Sequence, residues 1–441
     1  MVRGWRSAFR LLIAVVARGS SVVTPSRVFL VATAPPFCLV SRNGLRVCNQ
    51  LASPTMQLGI LSEKAPGERR VAATPQTVAT FLEWGWNVDV EAGAGVNAGF
   101  PDRLYIETGA NMVDGSTARA ADIVLCVNAP ENIEDLKSGS VLVGFLDPFV
   151  NGDLISSLNQ KGVTAFAVEA IPRTTLAQSM DALSSQANIG GYAAALLAAT
   201  SSPKMLPMMV TAAGTIPPSR ALILGVGVAG LQAIATARRL GAVVYAYDIR
   251  PETAEQVESL GAKFVAAPTE EMDEGGYAKE VGEDTQAAQH AALTPHVADA
   301  DLVITTAQIP GRPAPLLVTD EMIAQMKPGS VIVDMAAGSG GNVSASQPET
   351  MVDVDGVHIY GPTNLPADIP HDSSRMYARN LVALLERTRD EDGYKVDLDD
   401  EIIGGTAITH SGEVIHPRSR QLLGLPDLVV EPEPVAEGES E

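Results

Sequence analysis

From Met56 onward, short apolar runs alternate with stretches of helical periodicity, the pattern of a parallel sheet wound on both faces. The runs predict strands over 57–61, 87–90, 123–127, 141–145 and 164–168, with helices over 75–84 and 152–161 between them. A long Ala- and Leu-rich helix over 179–200 leaves this series, and residues 201–218, with Pro203, Pro207, Pro217 and Pro218, read as a link. A second series follows over 221–224, 243–247, 263–265, 302–306, 331–335 and 358–360. Six strands with a Gly-rich turn after the first form the Rossmann arrangement. A last amphipathic helix over 371–389 returns to the first series. The expected fold is therefore α/β, with two doubly wound Rossmann-like domains. The first is discontinuous (56–200 plus 366–430) and the second (201–365) is inserted in it. A chain that leaves and re-enters a domain places a cleft, and hence a ligand, between the lobes.

Charge separates the ends from the body. Residues 1–55 hold seven Arg and no Asp, Glu or Lys, whereas the whole chain carries a formal charge of −21. A basic, acid-free extension has the composition of a targeting segment, or follows from a start read too early, with Met56 the true first residue. Its apolar runs, 11–17 and 28–34, are too short to span a bilayer. The acidic body argues against nucleic acid, which is bound by clustered Lys and Arg. The tail, 431–441, is acidic and Pro-containing, and is expected to be disordered. The three cysteines have neither zinc-ligand nor disulfide spacing, and the six histidines have no ligand spacing, so a cytoplasmic, reduced, metal-free body is expected.

The second series opens with ALILGVGVAGLQAIATARRLGAVVYAYDIR, which sets Gly225, Gly227 and Gly230 in GxGxxG spacing between a strand and a helix. Gly225 suits the tight turn, Gly227 the approach of a pyrophosphate, and Gly230 close packing of helix on strand. Val228 and Ala229 lie at the helix start. Asp248 ends the next strand, where a carboxylate can accept from ribose hydroxyls and disfavour a 2′-phosphate, so NAD(H) is expected over NADP(H). Ile249 follows it. Arg250 points the other way, because a nearby Arg can accommodate that phosphate. Gln308, after the 302–306 strand, completes the candidate nucleotide contacts.

Residues 172–186, PRTTLAQSMDALSSQ, gather Arg173, Gln178, Asp181 and Ser184 beside this fold and supply no obvious proton-transfer group. Asp181, Ser184 or Ser185, and Asn188 recur at helical spacing, and Asp181 could pair with Arg173. An alternative is an ordinary helix cap at Ser179. An alcohol or amino acid that loses hydride must also lose a proton to a base of tuned pKa. Transfer between two nicotinamide rings needs only alignment.

Long motifs sharpen this picture: GERRVAATP at 67–75, AQSMDALSSQANIGGY at 177–192, GVGVAGLQAIATARRLGA at 225–242, GGYAKE at 275–280 and PGRPAP at 310–315. In these the chain resembles the NAD(H)-binding component of proton-translocating NAD(P)+ transhydrogenase. The resemblance implies that Arg173, Gln178, Asp181 and Ser184 hold the nicotinamide end, with the first three at the catalytic centre, and that Tyr277 lies on a loop closing over the nucleotide. It implies NADP(H) on a partner beta subunit, a membrane-spanning alpha2-type subunit, a homodimer, and peripheral association with the inner membrane. With no apolar run of 18 residues, the proton channel is expected on those other subunits.

The chain also resembles alanine dehydrogenase, in which Arg69 and Arg70 could serve a substrate carboxylate. Against that reading, the catalytic His expected after 141–145 is replaced by Leu146-Asp147-Pro148, the substrate-binding Lys by Asn128, and the catalytic Asp by Gly338. A non-enzymatic NAD-sensing module is the remaining alternative.

Overall fold

A computed structural model describes residues 38–40, 46–48, 56–267, 283–308, 312–390 and 393–428. The chain divides into Met1–Pro54 and Thr55–Glu441. In the first unit the described residues form an antiparallel pair, β1 (Cys38–Val40) with β2 (Arg46–Cys48).

Among its described residues the second unit holds two large sheets and one small antiparallel pair. The first contains β3 (Gln57–Ile60), β4 (Asn87–Glu91), β5 (Asn111–Val113), β6 (Ile123–Asn128), β7 (Val141–Phe145) and β8 (Thr164–Ala167). These run parallel in the order β5-β4-β3-β6-β7-β8, the doubly wound order, with its switch point between β3 and β6. Side chains alternate across this sheet, as the strand period requires. Leu58, Ile60, Ile123, Leu125, Val141, Val143 and Phe166 pack on one face against Tyr377, Leu381 and Leu384 of the return helix, Pro370–Glu386. Val124, Cys126, Leu142 and Ala165 pack on the other against Ile155 and Leu158 of the helix Gly152–Lys161. Each Val, Leu or Ile among them stabilises the fold by about 1.5–3 kcal/mol on burial.

Local chemistry sets the helix ends. Thr74 and Thr77 form a reciprocal capping box ahead of Pro75–Glu83, with Pro at the first helical position, while Gly162, at φ 72°, stops Gly152–Lys161.

The second sheet contains β11 (Arg220–Leu224), β12 (Val243–Asp248), β13 (Lys263–Ala266), β14 (Leu302–Thr305), β15 (Val331–Asp334), β16 (Met351–Val354) and β17 (Val357–Tyr360). Its order is β13-β12-β11-β14-β15-β17-β16, parallel except for β16, with the switch point between β11 and β14. After β17 the chain re-enters the first sheet. There β18 (Ala407–His410) pairs antiparallel with β8, and β19 (Glu413–Val414) with β18.

Two expectations change. The long helix spans Ala182–Ser201 rather than starting at Ser179, because Asp181 and not Ser179 caps it. The proline-rich link carries a small antiparallel pair, β9 (Met209–Thr211) with β10 (Gly214–Ile216). Among the described residues no helix is long and apolar enough to cross a membrane.

The helix Ala182–Ser201 joins the two sheets and packs along Val228–Arg239, which follows β11. Contact is backbone to backbone: a Cβ on Gly191 would lie 2.0 Å from Ala229 O. At Gly190 the nearest atom would be Met335 Cε, the end of a flexible side chain, at 3.1 Å. The two glycines share one helix, so the propensity gain from Ala is the same at both. Gly191→Ala is expected to lower unfolding free energy by about 1–3 kcal/mol, and Gly190→Ala by less than about 1 kcal/mol. Urea melts of both variants check this, and equal effects would refute it.

Candidate functional site

At the β11 switch point the glycine turn has the shape a dinucleotide requires. Gly225 has φ 95°, and a Cβ there would meet Thr306 Oγ1 at 2.7 Å. A Cβ on Gly230 would fall 1.9 Å from Gly225 O, so helix and turn touch through backbone alone. Gly227 caps Val228–Arg239, and a Cβ there would meet nothing within 4 Å. Val228 is exposed and Ala229 half-buried. No side chain caps this helix start and it is open to solvent, the arrangement that suits an anion.

Asp248 ends β12 almost fully buried. Its carboxylate accepts the N–H groups of Val226 at 2.7 Å and Arg250 at 2.9 Å. It also accepts the Arg250 guanidinium, from Nε at 2.9 Å and Nη2 at 3.0 Å. Ile249 is half-buried against the adjacent core. Gln308 is exposed, with Nε2 donating to Met335 O at 2.9 Å.

The loops at this edge are tied by two buried groups that sequence reasoning missed. The Asp334 carboxylate accepts from Thr305 Oγ1 at 2.8 Å, Ala336 N at 2.9 Å and Asn342 N at 3.0 Å. Asn342 Nδ2 donates to Ala307 O at 2.9 Å and Pro315 O at 2.8 Å. Tyr277 lies outside the described residues, as do residues 1–37 and the 431–441 tail.

At the start of the joining helix, Asp181 Oδ1 accepts Ser184 N at 2.8 Å and Ser184 Oγ donates to Asp181 Oδ2 at 2.6 Å. The structure thus brings Asp181 and Ser184 together. Arg173 and Gln178 sit exposed on the segment leading from β8 into this helix.

A buried polar network lies beside them. Glu68 Oε1 accepts from Arg70 Nε at 2.8 Å and Glu68 Oε2 from Arg70 Nη2 at 2.7 Å. Arg70 Nη1 donates to Gln186 Oε1 at 2.9 Å and Nη2 to Asn364 Oδ1 at 3.2 Å. Asn128 Nδ2 and Asn364 Nδ2 each donate to Glu68 Oε2 at 3.0 Å. Burial alone would raise the Glu68 carboxyl, but the hydrogen bonds and charge of Arg70 overcome it and hold the group at about 2. Arg70 is thus occupied internally, whereas Arg69 reaches Ala367 O and Asp368.

Two further carboxyls titrate near neutrality. Glu63 follows β3 at the first switch point and accepts the N–H groups of Val127 at 2.6 Å and Asn128 at 3.1 Å. Burial, with the Glu68 charge beside it, pushes Glu63 up to about 7. Burial does the same for Glu169, whose Oε1 accepts the Asp147 N–H at 2.7 Å and whose Oε2 is buried with no hydrogen-bond partner among the described residues. Asp147 itself adopts φ 50°. The signal for both was available, since each follows a strand at the ligand-facing edge of a parallel sheet.

The histidines have structural partners: His290 binds Leu316 O, His296 stands against Tyr245, His358 meets Asp353, His371 stacks on Phe100, His410 binds Thr164, and His416 tilts on Phe149.

Two doubly wound sheets, one with an open GxGxxG helix start, joined by a helix that begins in a polar junction, define a two-lobed nucleotide-binding fold. Residues 59–190 match the N-terminal domain of the alanine dehydrogenase/PNT family and residues 194–417 its C-terminal domain, and the chain belongs to that family. It is 44% identical over 378 residues to the first part of NAD(P) transhydrogenase subunit alpha of Rhodospirillum rubrum, covering 82% of this chain and 98% of that one. The solved transhydrogenase from Sinorhizobium meliloti superposes with a TM-score of 0.73 at 44% identity, over 82% of this chain and 99% of that one. An L-alanine dehydrogenase structure gives 0.70 at 27% identity, over 84% and 99%.

The titrating carboxyls carry a stability prediction. A group raised from 4.5 to about 7 holds, in the folded state, a proton that the unfolded chain releases, so stability falls as pH rises through that window. Glu68, lowered to about 2, acts oppositely: its stabilisation is complete above 4.5 and is lost as pH falls toward 2. The melting temperature is expected to be higher at about pH 6 than at about pH 8, with the difference shrinking in a Glu63→Gln, Glu169→Gln double variant. Calorimetry across this range checks it. An unchanged slope in the double variant would assign the effect to general charge repulsion instead.

Proposed function

We propose that this chain is the NAD(H)-binding subunit of a proton-translocating transhydrogenase. In this reading it donates hydride from NADH to NADP+ held on a partner beta subunit, and a membrane-spanning alpha2-type subunit carries the protons. A homodimer, peripherally associated with the cytoplasmic face of the inner membrane through those partners, is part of the same reading. The higher identity to transhydrogenase subunits than to alanine dehydrogenases supports it.

The observation that carries the reading is the single rigid element between the two binding regions. The joining helix has the Asp181–Ser184 pair at its start and Gly191 against the GxGxxG helix at Ala229, about 10 Å further along its axis. The residues fit the cofactor: the helix start at Gly227 is open, and Asp248 stands where a ribose would lie. Bound NADH supplies the hydride. Gly225 to Gly230 would receive the pyrophosphate, Asp248, Ile249 and Arg250 the ribose, and Arg173, Gln178, Asp181 and Ser184 the carboxamide-bearing ring, with Gln308 at the sheet edge, and the family resemblance adds Tyr277 to the nucleotide contacts. Amide and hydroxyl groups orient such a ring without titrating near neutrality. Alignment of this kind is worth roughly 7–11 kcal/mol when the geometry is right.

The residues that stand where amino-acid oxidation would need its Lys and His are put to other use. Asn128 donates to Glu63 and Glu68, and Asp147 is held through its backbone by Glu169.

The test mixes the protein with NADH, an NADP+ analogue and a purified NADP(H)-binding transhydrogenase domain. Transfer is expected with that domain and none without it. Gln178→Asn should slow transfer about 10-fold or more while leaving NADH affinity within about twofold. Turnover of pyruvate, ammonia and NADH by this chain alone would instead establish a dehydrogenase.

A further inference from the structure

The first turns of the joining helix are gripped from two sides. On one side stands the return helix: Ser185 Oγ donates to Asn380 Oδ1 at 2.7 Å, Asn380 Nδ2 to Ser179 O at 2.8 Å, and Gln186 Nε2 to Ser373 O at 3.2 Å. On the other stands Arg70, whose Nη1 donates to Gln186 Oε1 at 2.9 Å. Arg70 is buried and Glu68 fills its fork, which leaves Nη1 directed at the helix. The same guanidinium reaches Asn364, where the chain returns from the second sheet. One side chain therefore touches both crossings between the sheets.

We infer that Arg70, oriented by Glu68, is a positioning residue for hydride transfer: through Gln186 it fixes the helix start that carries Asp181 and Ser184, and the neighbouring Gln178. This rests on the proposed hydride-donating role. The physical reason is a lever. Gln186 lies just beyond Ser184 on the same rigid helix, so loss of its anchor lets the ring-binding turn shift while the glycine turn, held further along by Gly191 on Ala229, stays in place. Ring placement and nucleotide affinity should then separate.

Arg70→Gln strands a buried carboxylate and can unfold the protein, so the decisive variants are at Gln186. Gln186→Met keeps the ion pair and removes its link to the helix. Gln186→Glu keeps an acceptor for Arg70 and removes the donor to Ser373. Single-turnover transfer from NADH to an NADP+ analogue, with the purified NADP(H)-binding domain, is measured beside NADH affinity by titration. Gln186→Met is expected to slow transfer about 10- to 100-fold with affinity within about twofold, and Gln186→Glu to restore the rate to within about threefold. A wild-type rate in Gln186→Met, a parallel fall in affinity, or a Gln186→Glu variant as slow as Gln186→Met overturns the inference. If the wild-type protein itself transfers no hydride, the functional reading fails first and this inference falls with it.

Discussion

Backbone-to-backbone contact between the joining helix and the GxGxxG helix is the constraint from which the rest follows. Gly191 admits Ala229 O at a distance no side chain would allow, and Gly230 does the same for Gly225 O one layer further in. Three backbones stack through two glycines, with Ala193, Ala194, Ala198, Ala233 and Ala237 filling the space around them. Small residues leave few rotamers to rearrange, so the contact has little room to slide. A parallel sheet presents its ligand at the C-terminal edge of its strands. With two such sheets, the relative placement of the edges depends on what joins them, and of the two crossings the joining helix is the one that packs on the GxGxxG helix.

The electrostatics follow the same economy. A buried ion pair contributes little net stability, because desolvation offsets the attraction, but removing one partner is costly. Glu68 and Arg70 escape that penalty through the additional bonds to Asn128, Gln186 and Asn364, which belong to three separate segments. The pair thus specifies where those segments meet. At the other edge the buried Asp248 pairs with a half-buried Arg250, and its carboxylate also accepts two backbone N–H groups. Its carboxylate charge is balanced before any ligand arrives, so preference between ribose hydroxyls and a 2′-phosphate becomes a question of whether Arg250 stays on Asp248.

Much of this architecture was legible in the chain. Strands buried on both faces, such as β6 and β7, read as continuous apolar runs and were placed to within a residue or two. The glycine spacing located the turn, because only glycine satisfies the 1.9 Å approach at Gly230. The edge strands β5, β16 and β19, and β18 between β19 and β8, were not legible, since each is four residues or fewer, too short for a strong periodic signal. Asp181 as the cap was missed because Ser179 offers the same chemistry two positions earlier, and only the backbone decides between them. The Glu68–Arg70–Gln186–Asn364 network could not be read, because its members are separated by up to 296 residues and Arg70 drew notice only as a candidate for a substrate carboxylate. Asn342 and Asp334 fall in the same class.

Glu63 and Glu169 set a limit on what pH dependence can mean here. Each is pushed up to about 7 by burial, which in an oxidoreductase invites assignment as a general acid or base. Their hydrogen bonds argue otherwise. Glu63 spends both oxygens on the backbone of Val127 and Asn128 at the end of β6, and Glu169 spends one on the backbone of Asp147. Groups so engaged support the sheet edge, and ionising them loads charge into a poorly solvated site beside Tyr377 and Cys126. In the proposed reaction no proton accompanies the hydride between rings, so the chemical step has no use for either group. A pH effect on turnover would then arise from the edge loosening under its own charge, and it would track stability rather than follow the bell-shaped profile of a catalytic acid and base.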